Sequence, residues 1–162
     1  ISTIYLDNNK LVGSIPAFQG ENQPYLEELH LFSNHLSGSI PSEVSTLVSL
    51  TILRLEKNAL TGSIPISFSE LAVDTLHLNN NDLNGTVPDT LAENTNLNHL
   101  TLQGNPSLKQ SLSMVRTNWE EFSADCRQHG PCPCCTKCYY PVGHFFELSP
   151  KCQKNLFAQI IV

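Results

Sequence analysis

Clustered positive charge is what this chain most lacks. It carries nine Lys and Arg against fifteen Asp and Glu, a formal net charge of -6, and no basic run. Phosphate backbones are held by clustered cations, so nucleic acid is not expected as a partner. The acidic balance favours a basic or neutral partner surface. Residues 1–125 contain no cysteine. No apolar stretch reaches the ~18 residues that cross a bilayer, so a membrane enters only through an anchor outside this chain. The closing LFAQIIV is apolar but short, and reads as a strand or cap element or as the start of such an anchor. Enzyme signatures are missing too: no phosphate-binding Walker loop, no HExxH, no GxGxxG and no pair of carboxylates expected in one pocket. No enzyme and no cofactor is therefore expected.

What is present is a repeat. The stretch 50–71, LTILRLEKNALTGSIPISFSEL, sets a frame with apolar residues at Leu50, Leu53, Leu55, Leu60, Ile64, Phe68 and Leu71. The frame returns upstream at Leu26, Leu29, Leu31, Leu36, Ile40, Val44 and Leu47. Downstream it returns at Val73, Leu76, Leu78, Leu83, Val87 and Leu91. A landmark Asn recurs at Asn9, Asn34, Asn58, Asn81 and Asn105, giving spacings of 25, 24, 23 and 24. A fixed period in this range indicates a solenoid, in which each repeat buries its leucines against its neighbours.

The frame LxxLxLxxNxLxGxIPxxLxxL resembles the leucine-rich-repeat family, in its plant-type class. The resemblance implies an α/β fold: a right-handed leucine-rich-repeat solenoid of about five repeats, a horseshoe segment with a Cys-rich C-terminal cap. Repeats fall near 1–25, 26–49, 50–72, 73–96 and 97–111. A polar cap is expected before the first repeat, yet the chain starts at Ile1 inside one, as a fragment or processed form would. In repeat one the frame breaks after Pro16, and AFQGENQPY reads as an irregular loop. In repeat five it breaks after Asn105. Beyond that, Leu112, Val115, Trp119 and Phe122 have helical spacing, so a helical cap is expected over 112–125.

Within LxxLxL, alternate residues point opposite ways, leucines inward and the x residues onto the concave face. Three columns result. The first is Thr3, Glu28, Ile52, Thr75 and His99. The second is Tyr5, His30, Arg54, His77 and Thr101. The third is Asp7, Phe32, Glu56, Asn79 and Gln103. Polar residues suit any solvated face. Tyr5, Phe32 and Ile52 are informative because water needs no apolar group there, and aromatics beside Arg mark interaction surfaces. The candidate ligand-binding set is Tyr5, His30, Phe32, Ile52, Arg54, Glu56, His77, Asn79 and His99. His77 and His99 are close enough in register for a metal pair, but no carboxylate or Cys joins them, so none is expected. The five Asn read as a structural ladder satisfying backbone groups in the turns. The three GSIP tetrapeptides are repeat scaffolding, not nucleophile elbows.

The tail 126–162 holds Cys126, Cys132, Cys134, Cys135, Cys138 and Cys152. An even number favours disulfides, and six cysteines allow fifteen pairings. Thiolates at 132, 135 and 138, with His129 or His144, also have metal-like spacing, so a zinc site stays open. Asn84-Gly85-Thr86 is a glycosylation sequon.

The resemblance implies non-catalytic recognition of a protein, peptide or glycan, extracellular or in the secretory pathway. The concave face measures on the order of 300 Å², against ~800 Å² per partner for a standard interface. That suits a peptide, a glycan or a share of a larger surface. Two rivals remain. One is the ectodomain fragment of a receptor. The other is a structural subunit docked permanently through LFAQIIV, Phe145 and Phe146.

Overall fold

The computed structural model describes residues 1–109 in full, and the backbone of three later strands at 121–125, 137–139 and 145–147. Each coil contributes two short strands. The first of each pair are β1 (Thr3–Tyr5), β3 (Glu28–His30), β5 (Ile52–Arg54), β7 (Thr75–His77) and β9 (His99–Thr101). The second are β2 (Val12–Gly13), β4 (His35–Ser39), β6 (Ala59–Thr61), β8 (Asn84–Thr86) and β10 (Ser107–Lys109). The tail adds β11 (Glu121–Asp125), β12 (Lys137–Tyr139) and β13 (Phe145–Glu147).

The main sheet runs β1-β3-β5-β7-β9-β11-β12-β13, parallel from β1 to β12 and antiparallel between β12 and β13. Its register is uniform: Ile4, Leu29, Leu53, Leu76 and Leu100 align across five coils. Because the side-chain period is two, that alignment turns the four leucines inward, and all four are buried. The second strands pair in two smaller sheets, β2-β4-β6 and β8-β10. Between Pro and the next coil, Ser42–Thr46, Ile66–Glu70 and Asp89–Glu93 each form a 3-10 turn that buries Val44, Phe68 or Leu91. Pro suits these sites because it fixes an extended entry without needing its own donor. Coil one has no such turn. Its loop brings Gly20 against the Thr46 carbonyl so closely that a Cβ would collide.

Two backbone positions turn left-handed in each of coils one to four, and one in coil five. One of the two is the repeat glycine, as at Gly62 with φ +76°. The other is the residue before the landmark Asn: Asn8, Ser33, Lys57 and Asn80 have φ between 53° and 58°, and Gly104 has φ 75°.

Coil five lacks Gly-x-Ile-Pro yet still supplies β10, which pairs with β8. One expectation for the end of the array is corrected. Residues 121–125, expected as the end of a helical cap, form β11 instead, with Glu121, Phe122 and Ser123 paired to His99, Leu100 and Thr101. The edge of β9 presents unpaired backbone groups, and a strand satisfies them where a helix leaves them open. Residues 112–120 of that segment, the cysteines outside β12, and LFAQIIV lie outside the described residues.

Candidate functional site

The landmark asparagines join coil to coil at the end of the main sheet. Asn58 Nδ2 donates to Leu55 O in its own coil (3.1 Å) and to Leu31 O in the preceding one (3.0 Å), while its Oδ1 accepts from Leu36 N–H (3.0 Å). Asn34, Asn81 and Asn105 repeat this with Leu6, Leu55 and Leu78 carbonyls and with Leu11, Leu60 and Leu83 amides. Asn9 donates only within its own coil, to Leu6 O and Asp7 O. A further buried asparagine, Asn94, donates to Leu71 O at 2.8 Å on the opposite side of the coil. These bonds continue the parallel register past the strand ends, as in Ser33 N–H to Glu56 O and Lys57 N–H to Asn79 O, both 2.9 Å. They thereby align the third column, Asp7, Phe32, Glu56, Asn79 and Gln103.

Six of the concave side chains are joined. Tyr5 is exposed, and its hydroxyl donates to Glu28 Oε2 at 3.0 Å. The same oxygen meets His30 Nε2 at 3.0 Å. The Tyr5 and His30 rings lie 4.6 Å apart, and His30 meets Phe32 edge-on at 6.4 Å. Arg54 reaches across from the next coil, its guanidinium 4.3 Å from the Phe32 ring centre. Its Nη2 pairs with Glu56 Oε1. Aromatic and ionic contacts thus run without a break across β1, β3 and β5. His30 and Glu56 are buried, whereas Phe32 and Ile52 are half-buried on the open side.

Electrostatics follow from these contacts. Hydrogen bonds from His30 and then from Tyr5 hold the Glu28 carboxyl below its ordinary value. The same Glu28 contact pushes the Tyr5 phenol up. On the far side, Asn98 Nδ2 (2.8 Å) and Thr75 Oγ1 (2.9 Å) donate to Asp74 and hold its carboxyl down.

The remaining candidates sit apart from the joined six. His77 and Asn79 lie on and just after β7, and His99 begins β9, one column from His77. Asn79 Oδ1 accepts from Thr101 Oγ1 at 2.6 Å. Among the described residues no group of three or more His, Cys, Asp or Glu stands close enough to hold a metal ion. Asn84 and Thr86 of the sequon are exposed in β8. Glu28 was not among the candidates. The signal for it was present: it is the carboxylate of the first column, two residues before an aromatic-flanked histidine.

Comparisons with known proteins place this geometry in context. Residues 25–47, 49–71 and 73–94 match the family model described as Leucine Rich Repeat. The LRR receptor-like serine/threonine-protein kinase GSO2 of Arabidopsis thaliana is 53% identical over 47 residues, covering 29% of this chain and 4% of that protein. The matched stretch spans between 4% and 10% of the length of the curated relatives. The Arabidopsis receptor kinase HAESA, solved in complex with the peptide hormone IDA and the co-receptor SERK1, is 34% identical with a TM-score of 0.60. That match covers 73% of this chain and 19% of the other. A plant ice-binding protein is 29% identical with a TM-score of 0.64, covering 76% of this chain and 40% of the other.

Proposed function

Because the repeat array of this chain belongs to the plant-type leucine-rich-repeat family, we propose that it is a non-catalytic recognition module that binds a peptide or protein on its concave face. The observation that carries this reading is the joined track of Tyr5, Glu28, His30, Phe32, Arg54 and Glu56. A sheet face that only meets water needs no aromatic and ionic track across three coils. Ordered aromatics beside arginine are the side chains that dominate protein interfaces. The similar receptor kinase HAESA was solved with a peptide hormone, which supports a peptide as the ligand class. An exposed face of roughly 300 Å² suits a short peptide or one share of a larger surface. The ice-binding relative is a reminder that fold alone does not choose a ligand, so the weight rests on the track.

The setting we propose is outside the cell or at its surface, because the curated relatives are receptor kinases and a receptor-like protein. As an array within a receptor ectodomain or as a separate module, the chain would use the same face. Among the described residues no helix is long and apolar enough to cross a membrane.

The test is a titration of synthetic peptides of varied charge into the wild type and into the double variant Phe32→Ala/Arg54→Glu. Binding to the wild type is expected, with loss in the variant and an unchanged circular-dichroism spectrum. Binding that survives both substitutions moves the site off the concave face.

A further inference from the structure

Three side chains in one column end in oxygen acceptors on consecutive coils. They are Glu56, Asn79 and Gln103. Backbone bonds from Lys57 N–H to Asn79 O (2.9 Å) and from Asn80 N–H to Gln103 O (2.7 Å) keep them in line. Neighbours in such a row are about 4.8 Å apart. Glu56 is 4% exposed. Its Oε1 pairs with Arg54, but its Oε2 is buried without a hydrogen-bond partner, and so is Oε1 of Gln103. Between them, Asn79 Oδ1 accepts its bond from Thr101, and a carbonyl oxygen has a second lone pair to offer. Buried acceptors are normally satisfied, and one left without a donor costs free energy.

We propose that this row is a subsite for a cationic side chain, Lys or Arg, on the peptide that the concave face binds; the inference rests on that reading. An ammonium offers three donors and a guanidinium five, with no acceptor. Either complements the two unsatisfied oxygens, Glu56 Oε2 and Gln103 Oε1, that the row presents beside the amide carbonyl of Asn79. A planar guanidinium also spans two acceptors on adjacent strands. Arg54 is the sole Lys or Arg in the three concave columns, and Glu56 already neutralises it. A carboxylate on the ligand would meet Asp7, Glu28 and Glu56 instead, and would be repelled. Arg54 is the movable cover, since its side chain is 34% exposed. The ligand's cation takes its place on Glu56 while the guanidinium keeps the Phe32 ring.

The experiment uses an immobilised library of random octapeptides, N-acetylated and C-amidated so that no terminal charge competes. The expected result is enrichment of Lys or Arg at one position on the wild-type chain. For a selected peptide, Glu56→Gln should weaken binding roughly ten- to hundredfold, the range of a charge-assisted hydrogen bond. Glu70→Gln, on an exposed 3-10 turn, should leave it unchanged. If Glu56→Gln loses the folded circular-dichroism spectrum, Gln103→Leu takes its place, with severalfold weaker binding expected. Peptides bound without Lys or Arg preference, or with a preference that survives these variants, overturn the subsite and leave the concave-face reading standing. No binding of any peptide overturns both.

Discussion

Arg54 lies over the face of Phe32, 4.3 Å from the ring centre, although the two residues come from neighbouring coils. Glu56 holds the guanidinium from the other side. The stack therefore ties one coil's aromatic to the next coil's ion pair. A cation over an aromatic ring at a partly exposed site contributes about 0.5–1 kcal/mol. A double-mutant cycle with Phe32→Leu and Arg54→Met, read by urea unfolding, should return a coupling of that size. Zero coupling would mean that the two side chains merely coincide.

The asparagine bonds make an internal comparison possible. Asn58→Ala strands Leu36 N–H and removes one of the two asparagine donors on Leu31 O and on Leu55 O, while Asn9→Ala touches only carbonyls of its own exposed coil. A buried group left unpaired costs about 1–3 kcal/mol. Asn58→Ala should lower the unfolding free energy by about that amount, and Asn9→Ala by clearly less. Equal losses would remove the inter-coil bonds as the cause.

Much of this was legible in the sequence because a solenoid is a one-dimensional pattern. The spacings of 25, 24, 23 and 24 between asparagines leave little choice of register, so the three concave columns align as read. Contacts between columns were not legible. That Glu28 receives both Tyr5 and His30 depends on side-chain torsions, which spacing does not encode. The left-handed positions at Ser33 and Lys57 were also hidden, since neither residue type signals positive φ. At 121–125 the helical spacing misled, because the open edge of β9 outweighed local periodicity.

Acid should weaken the fold through Asp74. Donors from Asn98 and Thr75 lower its pKa in the folded chain. A group with a depressed folded pKa contributes stability that is present above its unfolded pKa and lost as pH falls through the folded value. Thermal melts from neutral pH downward should therefore show the wild type losing stability below roughly pH 4. The variant Asp74→Asn should lose less over that window, and matching slopes would contradict the role of this carboxylate.

Lys57 holds φ +58° without the glycine or asparagine that this region favours. Asparagine tolerates left-handed backbone because its short side chain hydrogen-bonds locally. Lys57→Asn should raise stability by part of the roughly 1–2 kcal/mol that left-handed backbone costs an ordinary residue, seen as a higher melting temperature. A lower one would show that the Lys57 side chain matters more than its backbone.

Photocrosslinking from within the array tests the concave face most directly. Benzoylphenylalanine replaces Ile52, half-buried in the first concave column, or Ile66, exposed on a 3-10 turn away from that sheet. A peptide selected on the wild-type chain is added, irradiated and traced by mass. The concave-face reading predicts a covalent adduct from position 52 and none from position 66. An adduct from position 66 with none from position 52 would contradict it.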